Sequence, residues 1–185
     1  TKRITTKNSD KLTHYLRYKN DSIMISSKTL NTDNPKLNCR LTGYEKFSPK
    51  RIILDKKLEI KFSSYVFKST KKNNTIIFYN SFTHKKIEAL KNKGITLIKS
   101  RLNSNGLFDL KMILKKLYTL GVRNLLIEGG DKITKNLIRS KLIDIFYLFK
   151  SPKMLAKDKV NQSFTSSKIL NKNYKKEHTF GSKLA

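Results

Sequence analysis

The 185-residue chain carries 41 Lys and Arg against 13 Asp and Glu, a formal charge of +28. That length suits one domain with one core, and hydrophobic residues at 37% of the chain, gathered in runs, argue for a folded protein. The run Ile145-Phe146-Tyr147-Leu148-Phe149 is far short of the ~20 residues of a membrane helix, and the single Cys39 excludes a disulfide scaffold and an all-cysteine metal site. No charged-then-apolar leader opens the chain, so the cytoplasm is the expected compartment.

Such a charge invites a nucleic-acid reading, because clustered cations release counterions from phosphates. The distribution opposes it. Seven of the basic residues are Arg and 34 are Lys, spread through the chain in short clusters such as Lys71-Lys72. Specific readers of nucleic acid favour Arg for bidentate base contacts and interleave aromatics for stacking. Neither pattern is visible, so no specific nucleic-acid partner is expected. Sixteen Asn and many Ile accompany the Lys, as A/T-rich codon drift would produce.

Leu12, Tyr15 and Leu16 share one face of a helix expected over 8–19, capped by Asn8 or Ser9. The apolar run 22–26 reads as a buried strand. Residues 28–41 show no period, and Asp33-Asn34-Pro35 reads as a turn in which Pro35 biases Asn34 toward an extended backbone. Strands are expected at 51–55 and 75–79, a helix at 84–93 stopped by Gly94, and a strand at 95–98. The stripe Leu110, Ile113, Leu114, Leu117 and Tyr118 marks a helix over 109–120, ended by Gly121. A strand at 124–127, the turn Glu128-Gly129-Gly130, a helix at 132–140 and a strand at 143–149 follow. An antiparallel closing strand is expected near 177–184. Strands alternating with helices predict an α/β layered fold with a mostly parallel central sheet flanked by helices.

In so basic a chain each acid counts. Asp33 lies in a Pro-containing loop after a buried strand, where either a functional group or a plain Asx turn fits. Glu128 ends an apolar strand, at the edge where parallel sheets bind ligands, although an acid also suits a helix entry there. Gly129-Gly130 before a helix lets backbone approach a phosphate at the helix N-terminus. No dinucleotide fingerprint and no P-loop motif occur. Arg17 and Arg40 offer planar forks suited to phosphate or carboxylate. His14, His84 and His178 stand on dissimilar elements without metal-ligand spacing to Cys39, and no metal site is expected.

Together these segments resemble the reductase domain of the riboflavin-biosynthesis deaminase–reductase family. The strongest piece runs from Ser26-Ser27-Lys28-Thr29 through Asp33-Asn34-Pro35-Lys36-Leu37 to Cys39-Arg40, similar to the family's Thr followed by Asp-x-Pro-x-Leu-x-x-Arg. Arg51-Ile52-Ile53-Leu54-Asp55, Asn124-Leu125-Leu126-Ile127-Glu128-Gly129-Gly130 and Leu142-Ile143-Asp144 with Ser151-Pro152-Lys153 follow in the family's order. The resemblance implies a dihydrofolate-reductase-like fold, a homodimer, and NADPH-dependent reduction of 5-amino-6-(5-phosphoribosylamino)uracil to the ribitylamino compound. It implies substrate contacts from Thr1, Arg17, Leu37, Arg40 and Glu128. Cofactor contacts would come from Arg3, Thr29, Asp33, Lys56, Gly130, Asp131, Lys132, Ile133, Thr134, Lys135 and Asn136. Asp33 and Glu128 become the two candidate catalytic acids.

Three departures from that family are visible. Arg3 stands where the family usually has Trp, and Lys56 where a Ser often follows the second strand. The family's first strand and its Ser-Leu-Asp-Gly segment would precede Thr1, and its zinc-binding deaminase domain has no counterpart, so residues 1–185 are expected to be a single reductase domain. The alternatives are a related reductase of another pterin or pyrimidine, a basic nucleic-acid-binding protein, and an inactive remnant.

Overall fold

The computed structural model of the chain describes residues 7–72, 74–82 and 84–149. Five strands form one sheet: β1 (Ser22–Ser26), β2 (Lys50–Leu54), β3 (Thr75–Tyr79), β4 (Thr96–Lys99) and β5 (Leu125–Ile127). Their order is β4-β3-β2-β1-β5, and every pairing is parallel. The expected α/β fold with a parallel sheet is therefore observed. The closing strand near 177–184 falls outside the described residues.

The period of two sorts the side chains of each strand onto two faces. Met24, Ile52, Leu54, Ile76 and Phe78 point to one face, against α5 (Leu110–Thr119) and α6 (Asp131–Arg139) through Ile113, Leu117, Ile133 and Leu137. Ile23, Ile25, Ile53 and Ile77 point to the other, where α2 (Ser27–Asp33), α3 (Tyr65–Ser69) and α4 (His84–Asn92) bury Leu30, Val66 and Leu90. Covering both faces explains why the strands read as unbroken apolar runs rather than alternating ones. An additional helix, α1 (Lys7–Lys19), precedes β1 and buries Leu16 and Arg17.

Several expectations are corrected. Residues 143–149 form no strand: β5 pairs only with β1 among the described residues, so this apolar segment finds no ladder, and Ile145, Tyr147, Leu148 and Phe149 are exposed. Residues 28–33, the start of the stretch 28–41 read as irregular, lie in helix α2; seven residues are too few for a helical period to register. Its cap signal was present, since the Ser26 side chain accepts the Thr29 N–H. The short α3 escaped notice for the same reason, although Ser64 caps it through the Phe67 N–H.

Asn34 is left-handed at φ 43°, ψ 51°, not extended; Asn tolerates that conformation, which here closes α2, and its side chain accepts the Tyr65 N–H at 2.8 Å. Asn8 and Ser9 lie inside α1 and do not cap it. Tyr15 and Tyr118 leave their expected apolar stripes and are exposed, Tyr118 beneath the Arg123 guanidinium at 4.1 Å from the ring centre.

Candidate active site

The chain runs outward from β1 through β2 and β3 to β4, then returns to place β5 on the other side of β1. A parallel sheet opens a crevice at such a reversal, outside the carboxyl ends of the two diverging strands. Those ends are Ser26 on β1 and Ile127 on β5, in register through Met24 and Ile127. The ladder continues one step further, because the Glu128 N–H donates to the Met24 carbonyl at 3.1 Å. Thus α2 and α6, which leave these two strands, start side by side.

Their first turns meet. A Cβ added to Gly130 would stand 3.4 Å from Thr29 Oγ1, while one added to Gly129 would stand 3.2 Å from Ile127 and Ile133 side-chain atoms. Gly129 therefore allows close packing and Gly130 faces the crevice. As the N-cap residue, Gly130 has no side chain with which to cap α6, and the N-terminus of this nine-residue helix carries backbone donors and partial positive charge there. Asp131 begins the helix; Lys132 is exposed, and Ile133 is buried in the core below. Thr134 turns its hydroxyl back to the Gly130 carbonyl, and Lys135 is half-buried.

Asn136 lies further along α6. With Asn103, Phe108, Asp109 and Ser140 it lines a separate cavity of about 250 Å³. On α2, Asp33 stands one turn beyond Thr29 at i+4 spacing, exposed at the helix end. Lys56 follows β2 at the same sheet edge and donates to the Gly106 carbonyl at 3.2 Å. Thr1 and Arg3 fall outside the described residues.

The other wall of the crevice comes from α1. Arg17, buried on that helix, grips Glu128 with two parallel hydrogen bonds of 2.7 Å, Nε to Oε1 and Nη2 to Oε2. The remaining arm, Nη1, donates to the Asn38 carbonyl at 3.1 Å. This planar match leaves both carboxylate oxygens with charged donors and fixes where Glu128 stands. Leu37 is buried with φ 55°, a left-handed residue that turns the loop after α2 toward α1. Arg40 is exposed at the end of that loop, and its Nη1 meets the Asn38 side chain at 3.1 Å.

The structure thus joins Arg17, Glu128 and the loop of Arg40 on one side, and Thr29 and Gly130 on the other, while Leu37 is buried in the core and Asp33 is exposed at the far end of α2. Sequence reasoning missed His14, whose Nδ1 accepts the Arg40 N–H at 3.3 Å. Burial first, then Arg40 and Arg17, push its pKa down against the opposing Asn38 carbonyl and Glu128. The spacing of His14 and Arg17 at i, i+3 was the available signal, since it puts both on one helix face. Cys39 is buried, with its thiol toward the His14 carbonyl rather than the imidazole. Among the described residues, no three His, Cys, Asp or Glu cluster closely enough to hold a metal ion.

Comparison with known proteins gives this geometry its context. The profile of the RibD C-terminal domain matches residues 1–184. The chain is 35% identical to the riboflavin biosynthesis protein RibD of Aquifex aeolicus over 152 residues, covering 82% of this chain and 40% of that protein. It is 32% identical to the 2,5-diamino-6-ribosylamino-4(3H)-pyrimidinone 5′-phosphate reductase of Debaryomyces hansenii, over 82% of this chain and 66% of the relative.

Among solved structures, the riboflavin biosynthesis reductase Rib7 of Saccharomyces cerevisiae superposes with a TM-score of 0.58 at 25% identity, over 75% of this chain and 62% of that one. RibD of Acinetobacter baumannii shares the fold, with a TM-score of 0.60 at 19% identity, over 78% of this chain and 38% of that one. The chain therefore spans from less than half to about two thirds of the length of these relatives. Matched along its whole length, the chain belongs to the RibD C-terminal domain family.

Proposed function

We propose that this chain is an NADPH-dependent reductase of a ribosylaminopyrimidine 5′-phosphate in riboflavin biosynthesis. The observation that carries the reading is the crevice at the β1/β5 reversal, with a glycine-lined helix N-terminus on one side and the Arg17–Glu128 pair on the other. The names of the relatives, a riboflavin biosynthesis protein and two ribosylaminopyrimidinone phosphate reductases, support the substrate class.

The residues suit the cofactor. The start of α6 offers backbone N–H groups to a phosphate, Gly130 leaves room for close approach, and Thr29 adds a hydroxyl beside it. Thr29, Gly130 and the first turns of α6 would hold NADPH, with Lys56 and Arg3 replacing the family's usual contacts. When bound, this cofactor supplies the hydride.

The ribosylamine ring opens to an imine at C1′. Addition of hydride to that carbon and a proton to its nitrogen yields the ribitylamine, with the former ring oxygen leaving as a hydroxyl. The chain positions the two partners and excludes water. Arg40 pairs with the 5′-phosphate, while Glu128, fixed by Arg17, accepts N–H groups of the pyrimidine. Asp33 orients the reacting end and relays the proton. Arg17 thereby acts on the substrate through Glu128, its Nη1 being engaged by the Asn38 carbonyl. The homodimer implied by the sequence resemblance and a cytoplasmic setting belong to this proposal as well.

Two substrates fit the class, the 2-amino-pyrimidinone named for two relatives and its deaminated uracil counterpart. The test is NADPH oxidation by the purified chain with each ribosylaminopyrimidine phosphate, and with dihydrofolate as control. Turnover of either supports the reading and their ratio assigns the substrate; dihydrofolate turnover alone overturns it.

A further inference from the structure

One face of α1 contacts the loop that delivers Arg40 at three successive residues, beside the Ser48 hydroxyl that accepts the Cys39 N–H at 3.1 Å. Arg17 takes the Asn38 carbonyl, the His14 carbonyl takes the Cys39 thiol, and His14 Nδ1 takes the Arg40 N–H at 3.3 Å. The same Arg17 holds Glu128 at 2.7 Å. Helix α1 therefore acts as a jig between the end of β5 and the loop after α2. Among the described residues, only the His14 side chain reaches the backbone of Arg40 itself.

We propose that His14 is a positioning residue, whose neutral imidazole fixes the Arg40 backbone so that its guanidinium meets the substrate phosphate. This rests on the reductase reading above and gives His14 a role exerted through Arg40. An acceptor at Nδ1 requires the neutral ring with its proton on Nε2. The surroundings favour that state. Burial and the flanking cations Arg17, on the same helix, and Arg40, on the loop, disfavour a third positive charge; Glu128 at the end of β5 and the Asn38 carbonyl oppose them and are outweighed. Protonation would put a donor against the Arg40 N–H and release the loop.

The test compares His14→Asn, whose amide oxygen stands close to the place of Nδ1, with His14→Gln, whose amide mimics the far nitrogen, and with His14→Ala. His14→Ala and His14→Gln are expected to raise KM for the phosphorylated substrate about tenfold, one lost hydrogen bond to a group that places a charge, with kcat within about twofold. His14→Asn restores KM. In wild type KM rises as pH falls through the His14 pKa, and in His14→Asn that rise is absent.

The substrate lacking its 5′-phosphate separates the outcomes, because the His14 variants should treat it as wild type does. Equal loss on both substrates, or no rescue by Asn, overturns the proposal. An inactive wild type instead refutes the reductase reading, and with it any role in that reaction. Imidazole ¹⁵N shifts of the full chain need no activity: an Nε2–H tautomer is expected, and an Nδ1–H tautomer overturns the contact.

Discussion

Arg17 and Glu128 are separated by 111 residues and meet in a planar, two-bonded pair at 2.7 Å, with the Arg side chain 9% exposed and the Glu side chain 27%. The pair ties the helix before the sheet to the last described strand, and it sets a carboxylate at the mouth of the crevice. Burying two charges costs desolvation that their attraction and hydrogen bonds must offset, so losing one partner is worse than losing both. Arg17→Met is expected to lower stability by about 3 kcal/mol. The double variant Arg17→Met, Glu128→Gln should recover at least about 1 kcal/mol of that loss. Urea unfolding of the four proteins in the cycle measures the coupling, and strict additivity would show that the pair is held by its surroundings.

The two glycines of the β5–α6 turn should fail differently. A methyl at Gly129 meets Ile127 and Ile133 at 3.2 Å inside the packing, so Gly129→Ala should cost about 1–3 kcal/mol in thermal or urea unfolding. At Gly130 the methyl meets, among the described residues, only the Thr29 hydroxyl at 3.4 Å, and its φ of −72° suits any residue. Gly130→Ala should therefore keep its stability while weakening NADPH binding about tenfold, as read by fluorescence titration of the cofactor. Normal NADPH affinity in this variant would remove the helix start from the cofactor site.

Arg40 and Asp33 are both exposed, so replacing them should leave stability within about 0.5 kcal/mol. Arg40→Ala is expected to raise KM for the phosphorylated substrate tenfold or more, the scale of a lost charge-assisted hydrogen bond. Asp33→Asn is expected to lower kcat about a hundredfold, as removal of a proton relay does. Wild-type kinetics in both variants would sink the site assignment.

The fold was legible where burial repeats along the chain. The apolar runs of β1, β2 and β3 are buried on both faces; helix α5 announced itself by period, and α4, α5 and α6 by Gly94, Gly121 or Gly130 at one end. What stayed hidden was short or non-local. Helices α2 and α3 span seven and five residues, and only the caps Ser26 and Ser64 betray them. Residues 143–149 have the composition of a strand, but a strand exists only beside a partner, which composition does not reveal. At the site, resemblance nominated Arg17, Arg40 and Glu128 separately. That Arg17 spends its fork on Glu128, and that His14 holds the Arg40 backbone, follows from contacts 111 and 26 residues apart in sequence.

The +28 charge should make stability depend on salt. Like charges on a compact chain repel, and added ions screen that repulsion over about 10 Å at 0.1 M. The melting temperature is expected to rise by a few degrees between about 20 and 300 mM NaCl. A fall would mean that attractive pairs such as Arg17–Glu128 outweigh the general repulsion.

Asp55 supplies a pH dependence of defined sign. Its carboxylate is fully buried after β2, where it accepts the N–H groups of Glu59 and Ile60 at 2.7 and 2.8 Å. Burial raises its pKa above the usual carboxylate value, more than these two donors lower it. Between the unfolded and the raised folded pKa the native state holds more protons than the unfolded chain, so stability falls as pH rises through that window. The contribution is therefore complete below about pH 4, the unfolded value, and lost above the folded one. Asp55→Asn keeps one acceptor oxygen but turns an N–H toward a donor, so it should be less stable than wild type at every pH. It should also lack this part of the slope. Urea unfolding of both proteins from pH 4 to pH 8 reads the difference, which should narrow as pH rises; a gap that widens would place the Asp55 pKa below its unfolded value.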